Sequence, residues 1–301
     1  MKKLSFLIVL LSINVSANSI LIKSGQINDG LGNSFIGDIL IVDKKIVEVG
    51  KFLNSSSAKI IEAKGKPVTP GLISPISNIG VVEINALDVT NDDSPDFFGP
   101  GFSVFNAFNP HSTLIPWNRS NGVTSSISTP GYSSQIFKGM GSFYLLDGDI
   151  DITGNADVAM YARLGAIGGS RAETIQIMES MFELALNKDE LELEELLGTT
   201  FASSMDMQLQ DIQALSRVVN REIPLVLEVN RAIDILQALR LKNDYDLELV
   251  LMSVEEAPLV LDQILASGVS VIIDPMDNIP DSFDELASNI KLGGILSNAC
   301  L

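Results

Sequence analysis

The chain has 301 residues, 46% hydrophobic and 19% charged, enough for one large domain or two small ones with a sizeable core. That balance excludes a disordered tail, a disulfide-stapled mini-protein and a multi-span membrane protein. A formal charge of −18, from 38 acidic and 20 basic residues, argues against nucleic acid and anionic lipid as partners, since both carry phosphate.

The chain opens on an export signal over residues 1–17. Lys2 and Lys3 are its positive end, residues 4–13 (LSFLIVLLSI) its apolar run, and Val15-Ser16-Ala17 its small-residue cleavage site. The apolar run is about half the ~20 residues that a membrane-spanning helix needs. Cleavage leaves a mature chain beginning near Asn18 and takes the charge from −18 to −20. The expected destination is outside the cytoplasm, most simply a bacterial periplasm. No lipobox Cys follows, and no later stretch is apolar enough to span a bilayer, so no integral membrane span is expected after cleavage.

Residues 18–66 read as short strands. SILIK (19–23), FIGDILIV (35–42), KIVEV (45–49) and KIIE (59–62) are β-branched and partly alternating. Asn28-Asp29-Gly30, Asp43-Lys44 and the run from Asn54 to Ser57 break them. The pattern predicts a small antiparallel sheet, too thin alone for a good core. Residues 67–148 alternate apolar strands, at 68–76 and 123–127, with long polar loops at 91–100 and 106–117. Loops of that length inside a compact domain are functional or disordered more often than not.

Residues 170–301 alternate helix and strand. A long helix is predicted over 172–197, with an acidic second half (KDELELEELL), and an amphipathic one over 207–219. Strands follow at 223–229, 247–252 and 269–274, with helices at 231–241 and 255–266 between them. Apolar runs without polar alternation indicate parallel strands covered on both faces. A (β/α) barrel and a doubly wound sheet both fit. No short internal repeat is visible.

These segments carry a resemblance. Gly37-Asp38-Ile39-Leu40-Ile41-Val42 is followed by Lys45-Ile46-Val47-Glu48-Val49-Gly50, and then by the run from Ile61 to Ile73 (IEAKGKPVTPGLI). Gly122-Val123-Thr124-Ser125, FYLLDG (143–148), IPLVLEVNRAIDILQALRL (223–241) and VIIDPMDNIPDSFDEL (271–286) extend it. Together they resemble the amidohydrolase superfamily, and more narrowly its exported, imidazolonepropionase-like members. The resemblance implies an α/β fold: a TIM-type (β/α) barrel over 67–301, bearing zinc or a similar divalent metal, joined to a small β-sandwich to which 18–66 contribute. The implied activity is hydrolysis of non-peptide carbon–nitrogen bonds in cyclic amides or related small molecules.

The chain departs from that pattern where the chemistry sits. Ile76 and Asn78 occupy the two His positions that follow the first barrel strand. Glu228 and Ser253 align with the His ligands after the fifth and sixth strands. The family's catalytic Asp follows the eighth strand, and the strand–helix rhythm stops before it, at residues 293–301 (GGILSNACL). The expectation is therefore a barrel incomplete at its C-terminus, with two unpaired edges. It is either a truncated relic of a longer gene product or a stable shorter domain that dimerises through the open edge; truncation is the simpler account.

Hydrolytic zinc takes His, Asp, Glu or Cys ligands and brings a bound water to a pKa near 7. With those His replaced, no cofactor is expected, and the chain reads as a non-catalytic family member that keeps its barrel mouth for a small molecule. The alternative is an active hydrolase with a carboxylate site around Glu228 and Asp274, at C-terminal ends of barrel strands. Asp92, Asp93 and Asp96 of the 91–100 loop would stand nearby, and oxygen ligands suit Ca²⁺ or Mg²⁺. Against that stands the ordinary fate of such carboxylates, solvated or ion-paired. The single His, His111, reads as a loop residue, and Cys300 as incidental. Gly139-Met140-Gly141-Ser142 lacks the Lys of a phosphate loop, and no G-x-S-x-G elbow is present.

Overall fold

The computed structural model describes residues 19–131, 133–165, 170–189, 193–274, 276, 280 and 282–299. Residues 1–17, read above as an export signal, and Cys300 lie outside the described residues. The chain forms two compact units, which divide between Gly71 and Leu72.

The first unit is one five-stranded sheet. Strands β1 (Ser19–Asn28), β2 (Ser34–Val42), β3 (Lys45–Gly50) and β4 (Lys59–Glu62) lie in the order β3-β2-β1-β4, and β5 (Pro67–Val68) also pairs with β1. The antiparallel expectation holds for β1–β2 and β2–β3 but not for β4 and β5, which run parallel to β1. Asp43 and Lys44 both take positive φ, 49° and 66°, the backbone of a tight hairpin turn. After β3 the chain instead crosses to the far side of β1 and enters β4 in the parallel sense. Buried Asp38 ties that crossover down: its carboxylate accepts the N–H of Leu53 at 2.9 Å and that of Ser24 at 2.8 Å.

The second unit is the barrel. Its elements are β6 (Leu72–Ser77), α1 (Leu114–Ser120), β7 (Val123–Ser128), β8 (Phe137–Leu145), β9 (Gly154–Arg163) and α2 (Arg171–Leu186). Short helices α3 (Leu193–Leu197) and α4 (Thr200–Ser204) lead into α5 (Leu209–Val219). Then come β10 (Leu225–Val229), α6 (Ala232–Asp244), β11 (Leu249–Ser253), α7 (Leu261–Ser267), β12 (Ser270–Ile272) and α8 (Leu292–Asn298). The seven strands pair strictly in chain order, β6 through β12, into a nearly closed barrel. A doubly wound sheet would reverse its order at a switch point; this one does not.

One strand breaks the all-parallel pattern. β8 runs antiparallel to both β7 and β9, while β6–β7, β9–β10, β10–β11 and β11–β12 are parallel. The connections on either side of β8, residues 129–136 and 146–153, are too short to carry a chain back for parallel pairing. Two helices also differ from expectation. The helix that opens at Arg171 stops at Leu186, where Asn187 caps it and its side-chain N–H donates to the Glu183 carbonyl at 2.8 Å. The dense acidic run beyond it opposes one long helix by like-charge contacts at i,i+4. The helix expected over 255–266 is split into a 3₁₀ turn, Ala257–Leu259, and α7, because Pro258 supplies no N–H and disfavours α backbone before it.

Strand parity divides the core. Leu225, Leu227, Val229, Leu249 and Leu251 belong to the outer cluster, with Met178, Phe182, Ile212, Leu215, Ile235 and Ile264 of the helices. The intervening residues Val226, Val250 and Met252 face the bore, with Ile76, Ile127, Tyr161 and Ile272. Helix α5 is anchored at its start by Asp211, which is buried and accepts the N–H of Gln208 and, from a distant loop, that of Gly101, both at 2.8 Å. Asp211→Ala leaves two N–H groups without their charged acceptor. It is expected to lower the free energy of unfolding by about 3 kcal/mol, read as a fall in the urea midpoint at unchanged slope.

Candidate ligand site at the barrel mouth

The C-terminal ends of the parallel strands open on one side of the barrel, the side where sites form in this architecture. Because β8 is reversed, it presents its N-terminal end there. The register sets the lining. Glu228 of β10 pairs with Arg163 of β9 on one side and with Met252 of β11 on the other, and Met252 pairs with Ile272. One layer deeper, Tyr161, Val226 and Val250 follow the same row.

Lys138, beside the β8 register shift between Phe137 and Gly139, reaches Glu228, with its Nζ 2.7 Å from Oε2. The two side chains are 18% and 32% exposed, so water screens the pair only in part. Arg163 donates from Nη2 to the Ser133 carbonyl at 2.9 Å, while its buried Nε has no partner among the described residues. Glu228 is thus paired with one cation, Lys138, and has a second, Arg163, as its register neighbour. Below them the Tyr161 hydroxyl donates to the Pro75 carbonyl at 3.1 Å. Burial pushes the Tyr161 phenol well above its ordinary pKa, so it remains a neutral donor. Gly141 makes room for that ring: a Cβ there would stand 2.6 Å from Tyr161 Cε2.

Beside this layer lies a cavity of about 260 Å³, lined among others by Arg163, Glu228, Asn230, Ser282 and Asp284. Ser282 donates to Glu285 Oε1 at 3.0 Å, and Asn230 donates to the same oxygen at 3.4 Å. Arg171 bridges Asp234, at 3.0 Å, and Asp284. These contacts hold the 282–285 segment by hydrogen bonds and charge.

The residues singled out in the sequence fall as follows. Ile76 packs in the apolar bore. Asn78 is exposed just past β6, and its carbonyl accepts the N–H groups of Val81 and Val82. Glu228 is in the ion pair. Ser253 ends β11 at a φ of 75°. Asp274 is exposed and accepts the Met276 N–H at 2.9 Å. His111 is exposed in a loop that Glu83 holds, through Asn109 and Ser112 at 2.9 Å each. Asp92 and Asp93 are tied into their loop by main-chain bonds to Val81 and Gly131; Asp96 rims a separate cavity. Gly139 to Ser142 lie within β8 and form no phosphate loop. Sequence reading missed Lys138, Arg163 and Arg171.

The donor set does not fit a hydrolytic zinc. Such an ion takes three or four N, S or carboxylate ligands at about 2.0–2.3 Å. Ile76 has no lone pair, Asn78 and Ser253 offer neutral oxygens, and Glu228 already faces an ammonium. Among the described residues no group of three His, Cys, Asp or Glu is placed to hold a metal. A double-mutant cycle of Lys138→Met and Glu228→Gln, measured by urea unfolding, is expected to give a coupling of about 1 kcal/mol. Strictly additive losses would mean that the contact contributes nothing.

No family model matches the chain. An amidohydrolase from Thermotoga maritima MSB8 is similar in structure at a TM-score of 0.78, with 21% identity, over 93% of this chain and 76% of that one. At that identity the likeness shows the fold alone. An N-acyl-D-glutamate deacylase from Bordetella bronchiseptica, at a TM-score of 0.42 and 17% identity over 85% of this chain and 58% of its own, is too loosely similar to bear on the argument. A 5-methylthioadenosine/S-adenosylhomocysteine deaminase from Thermococcus onnurineus (strain NA1) is 47% identical over 57 residues. That stretch is 19% of this chain and 13% of the deaminase, so the chain matches only a small part of that protein's length. The fold is that of an amidohydrolase-type barrel.

Proposed function

We propose that this chain is an exported, imidazolonepropionase-like member of the amidohydrolase superfamily whose barrel mouth binds a small polar molecule without a zinc-activated hydroxide. The fold and the short stretch shared with a deaminase support the family. The export signal read at residues 1–17 supports a periplasmic location. The observation that carries the functional reading is the Lys138–Glu228 ion pair at 2.7 Å.

Hydrolysis in the superfamily draws on a metal that lowers the pKa of a bound water. Here an ammonium stands beside Glu228, the carboxylate aligned with one of those ligands. A divalent ion would have to displace Lys138 and would still find only one anionic ligand among Ile76, Asn78, Glu228 and Ser253. The same groups suit binding. Arg163 offers donors, Glu228, Asp284 and Glu285 offer acceptors, and Asn230 and Ser282 add neutral polar groups to the lining of the cavity, with Lys138 held against Glu228 beside it. A ligand that carries both hydrogen-bond donors and acceptors matches that lining. The carboxylate alternative gains no support, because Glu228 is paired with Lys138 and Asp274 with the backbone of its own turn.

The test is zinc binding by the purified chain, by equilibrium dialysis with a thermal melt alongside. The expected result is no stoichiometric zinc and no rise in melting temperature at excess metal, since only a ligand of the native state raises it. One tightly held zinc per chain, or turnover of a cyclic amide that a chelator abolishes, would overturn the reading.

A further inference from the structure

A second cavity, of about 450 Å³, lies away from the mouth, between the loop that carries Asp96 and Phe97, the start of β8 and the faces of α2 and α4–α5. Its lining divides by polarity. Ile136, Met181 and Met207 are buried and make an apolar floor. Asp96, Glu173 and Asp206 are exposed and make an acidic rim. No Lys, Arg or His is among the described lining residues, and among the described residues no ion pair neutralises these three carboxylates. Phe97, also in the lining, is 84% exposed.

The walls are fixed in place. Asp211 spends both carboxylate oxygens on the N–H groups of Gly101 and Gln208, which joins the loop to the start of α5. Gly101 and Gly99 permit the close approach: a Cβ at Gly101 would meet the Gln210 backbone at 2.7 Å, and one at Gly99 would meet the Gln135 side chain. The cavity is therefore part of the packed loop, and its shape precedes any ligand.

We infer that this cavity is a binding site for a small organic cation with an apolar body. The thioether and aliphatic floor takes the hydrocarbon part, which gains from leaving water. The rim carboxylates attract the ammonium or guanidinium group, and the face of Phe97 adds a cation–π contact. An anion of the same body meets like charge at the rim. The inference is independent of the mouth reading, because the two sites share no residue.

The experiment is calorimetric titration of the full chain with phenethylamine, and with 3-phenylpropionate, an anion of similar aromatic body. The amine is expected to bind saturably at one site and the carboxylate not to bind. The Glu173→Gln/Asp206→Asn double variant removes two exposed charges without placing a cation in the first turn of α2 and keeps an Asx residue at φ 52°, so it is expected to keep the parent melting temperature. It should weaken the amine about tenfold or more, given that each exposed charge contact is worth up to ~1 kcal/mol. Phe97→Ala should weaken it further without changing the melt. Equal binding of the carboxylate, amine binding unchanged in the double variant, or no saturable binding of the amine would each overturn the inference.

Discussion

An ammonium carried on β8 meets a carboxylate carried on β10, and the mouth of the barrel is organised around that contact. Lys138 can reach Glu228 only because β8 runs against its neighbours, which puts the first residues of that strand, not the last, at the open end. The reversal follows from chain length. Connections of a few residues cannot return a strand for parallel pairing, so the segment between β7 and β9 goes out and back as antiparallel strands. A helix-linked strand in that place would have put residues near Leu145 at the mouth and Lys138 at the bottom.

Below the pair the bore holds an apolar cluster around one phenol. Ile76, Ile127, Val226, Val250, Met252 and Ile272 surround Tyr161, and the Tyr161 hydroxyl is spent on Pro75. Charge is confined to the top layer, where Lys138, Arg163 and Glu228 keep partial contact with water. That arrangement fits the energetics of burial: ions remain where they can be paired or hydrated, and buried hydroxyls such as that of Ser128, which donates to the Ile79 carbonyl at 2.6 Å, are hydrogen-bonded. The side chain of Ile76 packs against Tyr161 and Val226 of the bore cluster.

Much of the fold was legible in the sequence, and the reasons are local. The runs LVLEV and LVLMS, each followed by an amphipathic segment, allowed parallel strands and covering helices to be read from hydropathy alone. The aligned positions Ile76, Glu228 and Ser253 do fall at strand ends. What stayed hidden depends on pairing between distant segments. The sense of β8 is set by which strands it lies between, and its own residues, FKGMGSFYL, alternate no more clearly than a parallel strand would. The bulge beside Lys138 shifts its parity, so neither the face of its side chain nor its partner ninety positions on was readable. The β4 crossover in the first unit was missed for the same reason: KIIE suits either direction, and the choice rests on Asp38 holding the Leu53 N–H. Arg163 and Arg171 went unread because their partners, Ser133, Asp234 and Asp284, come from other elements.

The exit of β11 shows how firmly the mouth is held. Ser253 and Val254 take φ of 75° and 57°. A β-branched residue there is unusual, and left-handed backbone costs roughly 1–2 kcal/mol per residue. The conformation persists because its surroundings over-determine it. The Val254 N–H donates to the Val229 carbonyl at 2.9 Å, the Glu256 N–H donates to that of Asn230 at 2.9 Å, and the Val254 side chain is fully buried. Those bonds couple the exit of β11 to the exit of β10, the strand that carries Glu228 and Asn230. Strain retained at a strand end in a barrel mouth marks a place where shape is specified more tightly than stability alone requires. The mouth is therefore held in shape: the bonds between the exits of β10 and β11 fix Ser253 in its turn, β8 and β10 set Lys138 against Glu228, and a rigid, charged, partly hydrated rim is what the proposed binding of a small polar molecule needs.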